Sequence, residues 1–346
     1  MLLPDPRRYG NGQSSPLATL AQNNDAGLAE AVATAVAHGD DAAIRVAFAA
    51  VTSREAFTRL RDAVALAVDR APEDAAIVTR IFALPVLLVC GTRGGATLPG
   101  VVNDTAELVQ VLETSGALGG NRNLGFGNAL IDLDALERVT PSAIRAWQAG
   151  AGLRDVPPSP IRLTPGDESV HLRFLLGAAV SVPHLPGIAE TAANIEAWGL
   201  KATKALSPQL CAPGVDVLAM PRPPLNVVKA AHSGRRIGLE AAFNLFVSNT
   251  LRRFRQKVGD ATAIVSAHEG GELRVTLSSP LDEGLTEGYR WPLHPLDDVE
   301  EIAGMMQTFL QECRITDIVM LPTVQPDTTS TGALYFPTSA GSGPAH

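Results

Sequence analysis

One run of residues limits the possible folds more than any other: Ile81-Phe-Ala-Leu-Pro-Val-Leu-Leu-Val-Cys90, ten apolar positions without a charge, with Gly91 immediately after. A helix that crosses a bilayer needs about 20 such residues, so the run is too short to span. A brief, unbroken apolar stretch closed by glycine reads as a buried strand. Phe174–Val182 is the next longest apolar run, and it too is expected inside a core. With 346 residues, 46% of them hydrophobic and 18% charged, the chain can bury such strands without metals or disulfides. At this length about two domains are expected.

Around the run the texture is helical. Thirteen of the first fifty residues are alanine, the strongest helix former. Asp25 is placed to cap a helix through Leu28, Val32 and Val36, and Asp40 or Asp41 to start another through Ile44 and Phe48. Ser53 opens a third, with Phe57, Leu60, Val64 and Val68 at spacings of three and four. Further on, Asp104–Glu113 reads as a helix, and Thr140-Pro141 pairs an N-cap with a first-turn proline for a helix through Trp147.

The second half predicts strand from Val170 to about Val182, helix from Ile188 to Leu206, and then a six-element series. That series is strand Val215–Met220, helix Ile237–Val258, strands Ala261–Ala267 and Glu272–Ser279, helix Asp297–Cys313 and strand Asp317–Leu321. Glu269-Gly-Gly271 is a hairpin signal between the two central strands. The order β-α-β-β-α-β matches the ferredoxin-like pattern, which constrains fold and not function. The expected class is therefore α+β, with an Ala-rich helical and mixed N-terminal half and a ferredoxin-like C-terminal half. The expected division is a disordered tail over 1–16, a helical/mixed α/β domain over 17–150, a Pro-rich linker over 151–168, an α+β domain over 169–322 and a second disordered tail over 323–346. Within that last tail Ala333–Pro337 forms an apolar island, expected to pack on its own domain or to dock on a partner.

Charge is the clearest functional signal. Between Pro221 and Gly259 stand Arg222, Lys229, Arg235, Arg236, Arg252, Arg253, Arg255 and Lys257, against Glu240 alone, so this stretch carries +7 on a chain of net −8. Leu239, Phe243, Phe246, Val247, Leu251, Phe254 and Val258 form an apolar stripe through the same helix, with Arg253 and Lys257 opposite and Arg252 and Arg255 flanking. A basic face on an acidic protein attracts acidic partners or phosphate, whereas cations near a helix C-terminus also simply favour the helix. Arg235, Arg236, Arg252, Arg253, Arg255 and Lys257 are thus the candidate partner-binding residues.

Other chemistry is poorly encoded. The loop after Cys90 has the position of a phosphate loop, but a Walker A sequence needs a lysine, and the first lysine of the chain is Lys201. Gly125-Phe-Gly127 lacks the third glycine of a dinucleotide fingerprint, where Leu130 stands. If these loops bind an anion, Arg93 and Arg122 are the candidate contacts. Cys90 reads as a structural thiol: a phosphatase loop would carry arginine where Ala96 stands. Three scattered cysteines fit a reducing, cytoplasmic setting, and seven histidines form no local zinc pair. No cofactor and no metal are expected. Together these features favour a non-enzymatic scaffold, adaptor or assembly component that binds an acidic protein partner or its own copies through the basic helix face, with no membrane association. A nucleic-acid-associated protein that uses the same face is the second reading. An enzyme on a small anionic substrate, with Arg93, Arg122 and Cys90, is the third.

Overall fold

The computed structural model describes residues 15–70, 76–151, 153, 156–165, 168–182, 195–257, 261–269, 271–279 and 282–325. The expected tails lie outside these residues, except that Ser15 and Pro16 begin the first helix and residues 323–325 end the last strand. The Ala333–Pro337 island also lies outside them. The fold is mixed α+β and divides into two compact units, residues 1–238 and 239–346.

The first unit opens with four helices: α1 (Pro16–Gln22), α2 (Leu28–Ala37), α3 (Asp41–Ala50) and α4 (Arg54–Asp69). The caps follow the sequence closely. Asp40 Oδ1 accepts the Ala43 N–H at 2.9 Å and Ser53 Oγ that of Ala56 at 3.2 Å. Asp25 instead closes a turn onto the Gly27 N–H at 2.7 Å, one step outside α2. Ser53→Ala is expected to cost about 1 kcal/mol in equilibrium urea unfolding, the usual loss for a capping hydroxyl.

The apolar run lies inside β1 (Val78–Thr92), which is followed by β2 (Ala96–Leu98), α5 (Ala106–Thr114), β3 (Arg122–Ile131), α6 (Leu133–Glu137), α7 (Pro141–Ala146), β4 (Ile161–Leu163), β5 (Ser169–Ser181), α8 (Ile195–Leu210), β6 (Val215–Pro221) and β7 (Leu225–Asn226). Strands β3, β5, β1 and β6 form an antiparallel sheet in that order, and β7 extends it by pairing with β1. Successive β1 side chains go to opposite cores. Ile81 and Ala83 join a cluster with α1 to α4, whereas Phe82, Leu84, Val86 and Leu88 join one with α5 and α8. Helices on both faces explain why the strand is apolar at every position instead of at alternate ones. Pro85 sits where β1 changes partners: β7 pairs as far as Ala83 and β6 begins at Val86, so the absent N–H costs little there.

The Pro-rich stretch 151–168, expected as the domain joint, lies within the first unit. It leads into β5, which pairs along β1 from Cys90↔Ser169 to Val78↔Ser181. Prolines mark chain reversals as readily as linkers, and here they carry the chain back to its own sheet. The compact division falls after Gly238, inside α9 (Val227–Lys257), where no composition change announces it.

The second unit holds the rest of α9, then β8 (Thr262–His268), β9 (Glu272–Ser279), β10 (Asp282–Pro292), α10 (Val299–Glu312) and β11 (Asp317–Gln325). Its sheet runs β10-β9-β8-β11, antiparallel except for β11, which lies parallel to β8. The ferredoxin-like arrangement is not what forms. The strand expected to lead it, β6, pairs with β1 in the other sheet, and its place in the count is taken by β10. Strand β10 carries two glycines, three acids and a terminal proline, a composition poor in strand formers. It is tolerated because it is an edge strand with a register shift between Asp282 and Thr286. Trp291 and Tyr289 join Phe243, Val247, Phe254 and the buried face of α10 in one core on a single side of this sheet.

Candidate anion-binding cleft

The apolar stripe of α9 decides which arginines reach solvent. Phe243, Val247, Leu251 and Phe254 are all buried, which turns Ser248, Arg252 and Arg255, spaced four and three apart, outward together. The end of α10 supplies the opposite wall. Its C-cap is Cys313, the Arg314 N–H donates to the Gln311 carbonyl at 2.8 Å, and the Ile315 N–H donates to the Leu310 carbonyl at 3.1 Å. This is the Schellman pattern, completed by burial of both Leu310 and Ile315. The residue that takes the left-handed position, at φ +67°, is Arg314, where glycine is the common choice.

These two elements border an open concavity of about 540 Å³ lined by Arg252, Arg255, Arg314, Glu312, Ser248 and Cys313, with Leu251 at its base. Arg255 Nη2 donates to the Cys313 carbonyl at 3.2 Å, and Arg252 Nη2 to Asn249 Oδ1 at 3.1 Å. Three guanidinium groups face one carboxylate there. Burial raises the Cys313 thiol above its ordinary value, although Arg255 pulls the other way, so the sulfur stays protonated near neutral pH. No histidine stands among the lining residues to act as a base. The cleft is chemically suited to hold an anion.

The remaining predicted residues are distributed differently from the expected single face. Arg253 forms an ion pair with Glu287 at 2.6 Å, so it is engaged by β10. Arg235 and Arg236 belong to the first unit, are half-buried and have interactions of their own. The Lys257 side chain lies outside the described residues. Arg314 escaped sequence reasoning because it comes 59 positions after Arg255 and is aligned with it only by the fold; the signal was the end of the α10 periodicity at a non-glycine residue.

The glycine-loop arginines do not meet. Arg122 is opposite Val180, which is opposite Thr79, whereas Arg93 follows Thr92 at the far end of the same strand. Thirteen residues of strand separate those ends, about 40 Å. Both side chains are exposed, and the glycine-rich stretch Gly116–Asn128, expected as a loop, runs into β3 from Arg122 onward. Cys90 is buried, and its thiol is pushed up to about 11, chiefly by burial. It is a core residue.

Among the described residues no group of three or more His, Cys, Asp or Glu side chains could hold a metal ion, and no helix is long and apolar enough to cross a membrane. The chain matches no protein-family model, and no curated protein or solved structure matches it.

Proposed function

We propose that this protein is a non-enzymatic binding component, an adaptor or scaffold, whose second unit docks an acidic segment of a partner protein in the cleft between α9 and the end of α10. The observation that carries this reading is the convergence of Arg252, Arg255 and Arg314 on one concavity from two elements. The backbone at Arg314 supports it. An L-residue held at φ +67° costs roughly 1–2 kcal/mol that glycine would not, and strain of this kind collects where a side chain has a task. A peptide fits better than a nucleic acid. The lining offers no aromatic ring on which a base could stack, and Glu312 repels phosphate yet accepts a backbone N–H.

The test is fluorescence anisotropy with a labelled twelve-residue Asp/Glu peptide. Binding is expected to weaken steeply as salt rises from about 50 to 300 mM, because exposed charges are screened within about 10 Å. Arg252→Glu combined with Arg255→Glu is expected to lower affinity at least tenfold, about 1.4 kcal/mol or more. Arg314→Gly separates binding from folding: affinity is expected to fall while stability rises by about 1 kcal/mol. Unchanged affinity in both variants, or tighter binding of a duplex DNA of equal charge, would overturn the reading.

A further inference from the structure

The first unit holds a second cavity with a chemically different lining. Helices α3 and α4, the α6–α7 connection and the first turns of α9 enclose a cavity of about 220 Å³. Its inner wall is apolar: Ile44, Val64, Val227 and Val228 are buried, with Phe48 and Ala231 beside them. One polar ring is set into this wall. His232 leans on Phe48 with centroids 4.5 Å apart and meets Phe57 edge-on at 5.0 Å. It lines the cavity between these two rings. Burial, with Arg61 adding to it, pushes the His232 pKa down to about 4, so the ring is neutral and offers one donor and one acceptor.

Two guanidinium groups and two carboxyl groups stand at the mouth. Arg45 and Arg138 are exposed lining residues and form no ion pair among the described residues. Of the two acids there, Asp41 is committed to the Ser142 N–H at 3.1 Å. The other, Glu137, has its carboxyl pushed up to about 7, chiefly by burial, so it is about half-protonated at neutral pH. An apolar pocket with a few convergent polar groups is the usual form of a small-molecule site.

We infer that this cavity binds a small monocarboxylate with a compact apolar body, its carboxylate held by Arg45 and Arg138 and a second polar group hydrogen-bonded to His232. The volume lies below the roughly 300–1,000 Å³ of drug-sized sites, which limits the ligand to about ten non-hydrogen atoms at interior packing density. An aromatic body would also stack on Phe48. The inference is independent of the cleft in the second unit.

Phenylacetate and 4-hydroxyphenylacetate are suitable probes, with phenylacetamide as the uncharged control. All three are titrated into the full chain by calorimetry, and the His232 ring resonances are followed by NMR. The acids are expected to bind and shift the His232 signals, the hydroxylated acid more tightly, and the amide at least tenfold more weakly. Arg45→Gln with Arg138→Gln is expected to lower acid affinity at least tenfold without moving the thermal midpoint, since both side chains are exposed. Ala231→Leu, which fills the cavity, is expected to abolish binding of all three. Equal affinity for acid and amide, retained binding in the double arginine variant, or no binding of either acid would overturn the inference. So would binding that is lost only on changing Arg252 and Arg255, because it would assign the ligand to the second unit.

Discussion

Gly177→Ala is expected to lower the stability of the first unit by about 2–3 kcal/mol, more than any surface change considered above. Gly177 is opposite Phe82 on β1 and opposite Phe126 on β3. A Cβ at that position would stand 2.3 Å from Phe82 Cζ and 2.7 Å from Cε1. The ring cannot swing aside. Phe82 is fully buried and packs edge-on against Phe126 with centroids 5.4 Å apart, so the glycine on β5 is the gap that lets two aromatic rings from the strands on either side share one face. Phe82→Leu alone is expected to cost about 1–2 kcal/mol through lost packing. Combined with Gly177→Ala it should cost at least about 1 kcal/mol less than the sum, because the smaller side chain removes the clash. Urea unfolding followed by circular dichroism measures all three. Additive losses would show that the ring yields and that the close approach does not matter.

The second large effect concerns acid. His232 has a folded pKa of about 4 against an ordinary value of 6.5, so between these values the unfolded chain binds the extra proton. Its contribution to stability is therefore complete above about pH 6.5 and is lost as pH falls toward 4. The full shift corresponds to about 3 kcal/mol, reduced by the ring's partial exposure. Glu137 acts in the opposite sense. With a folded pKa of about 7 and an ordinary value of 4.5, it stabilises most below pH 4.5, and that contribution fades as pH rises through 7. The two partly offset each other across the shared window, so the wild-type profile alone does not isolate either group. His232→Phe keeps a ring between Phe48 and Phe57 and removes the proton site. Relative to this variant, the wild-type chain is expected to lose about 2 kcal/mol between pH 7 and pH 4 in urea-unfolding midpoints. Parallel profiles would contradict a neutral, desolvated imidazole at this position.

These two positions also show what could be read from the chain alone. Local chemistry was legible. Asp40, Ser53 and Thr140 are helix caps, the buried run forms a strand, and the stripe through Phe243 and Phe254 faces a core, because each depends only on neighbours within a turn or two. Pairing was not. Nothing in Val215–Pro221 says that it joins β1, more than 120 residues earlier, instead of β8, since both partners offer apolar strands of similar length. The edge strand β10 was hidden by its glycines and acids. The basic segment was visible as a charge surplus, but its division among Glu287, the first unit and the open cleft depends on which side of α9 the fold buries. The His232 cavity had no local signature, because its walls come from four segments scattered between Asp41 and His232.

The claim that the second unit is a docking site rests on three particular guanidinium groups, and these can be observed individually. Arginine Nε–Hε resonances of the full chain, assigned by substitution, are followed while the twelve-residue acidic peptide is added. Arg252, Arg255 and Arg314 are expected to shift together along a single saturable curve, while Arg45, Arg138, Arg235 and Arg236 in the first unit stay in place. Shifts confined to the first unit, or small unsaturable drifts at every exposed arginine, would contradict a built cleft and reduce the basic stretch to a solvated helix face.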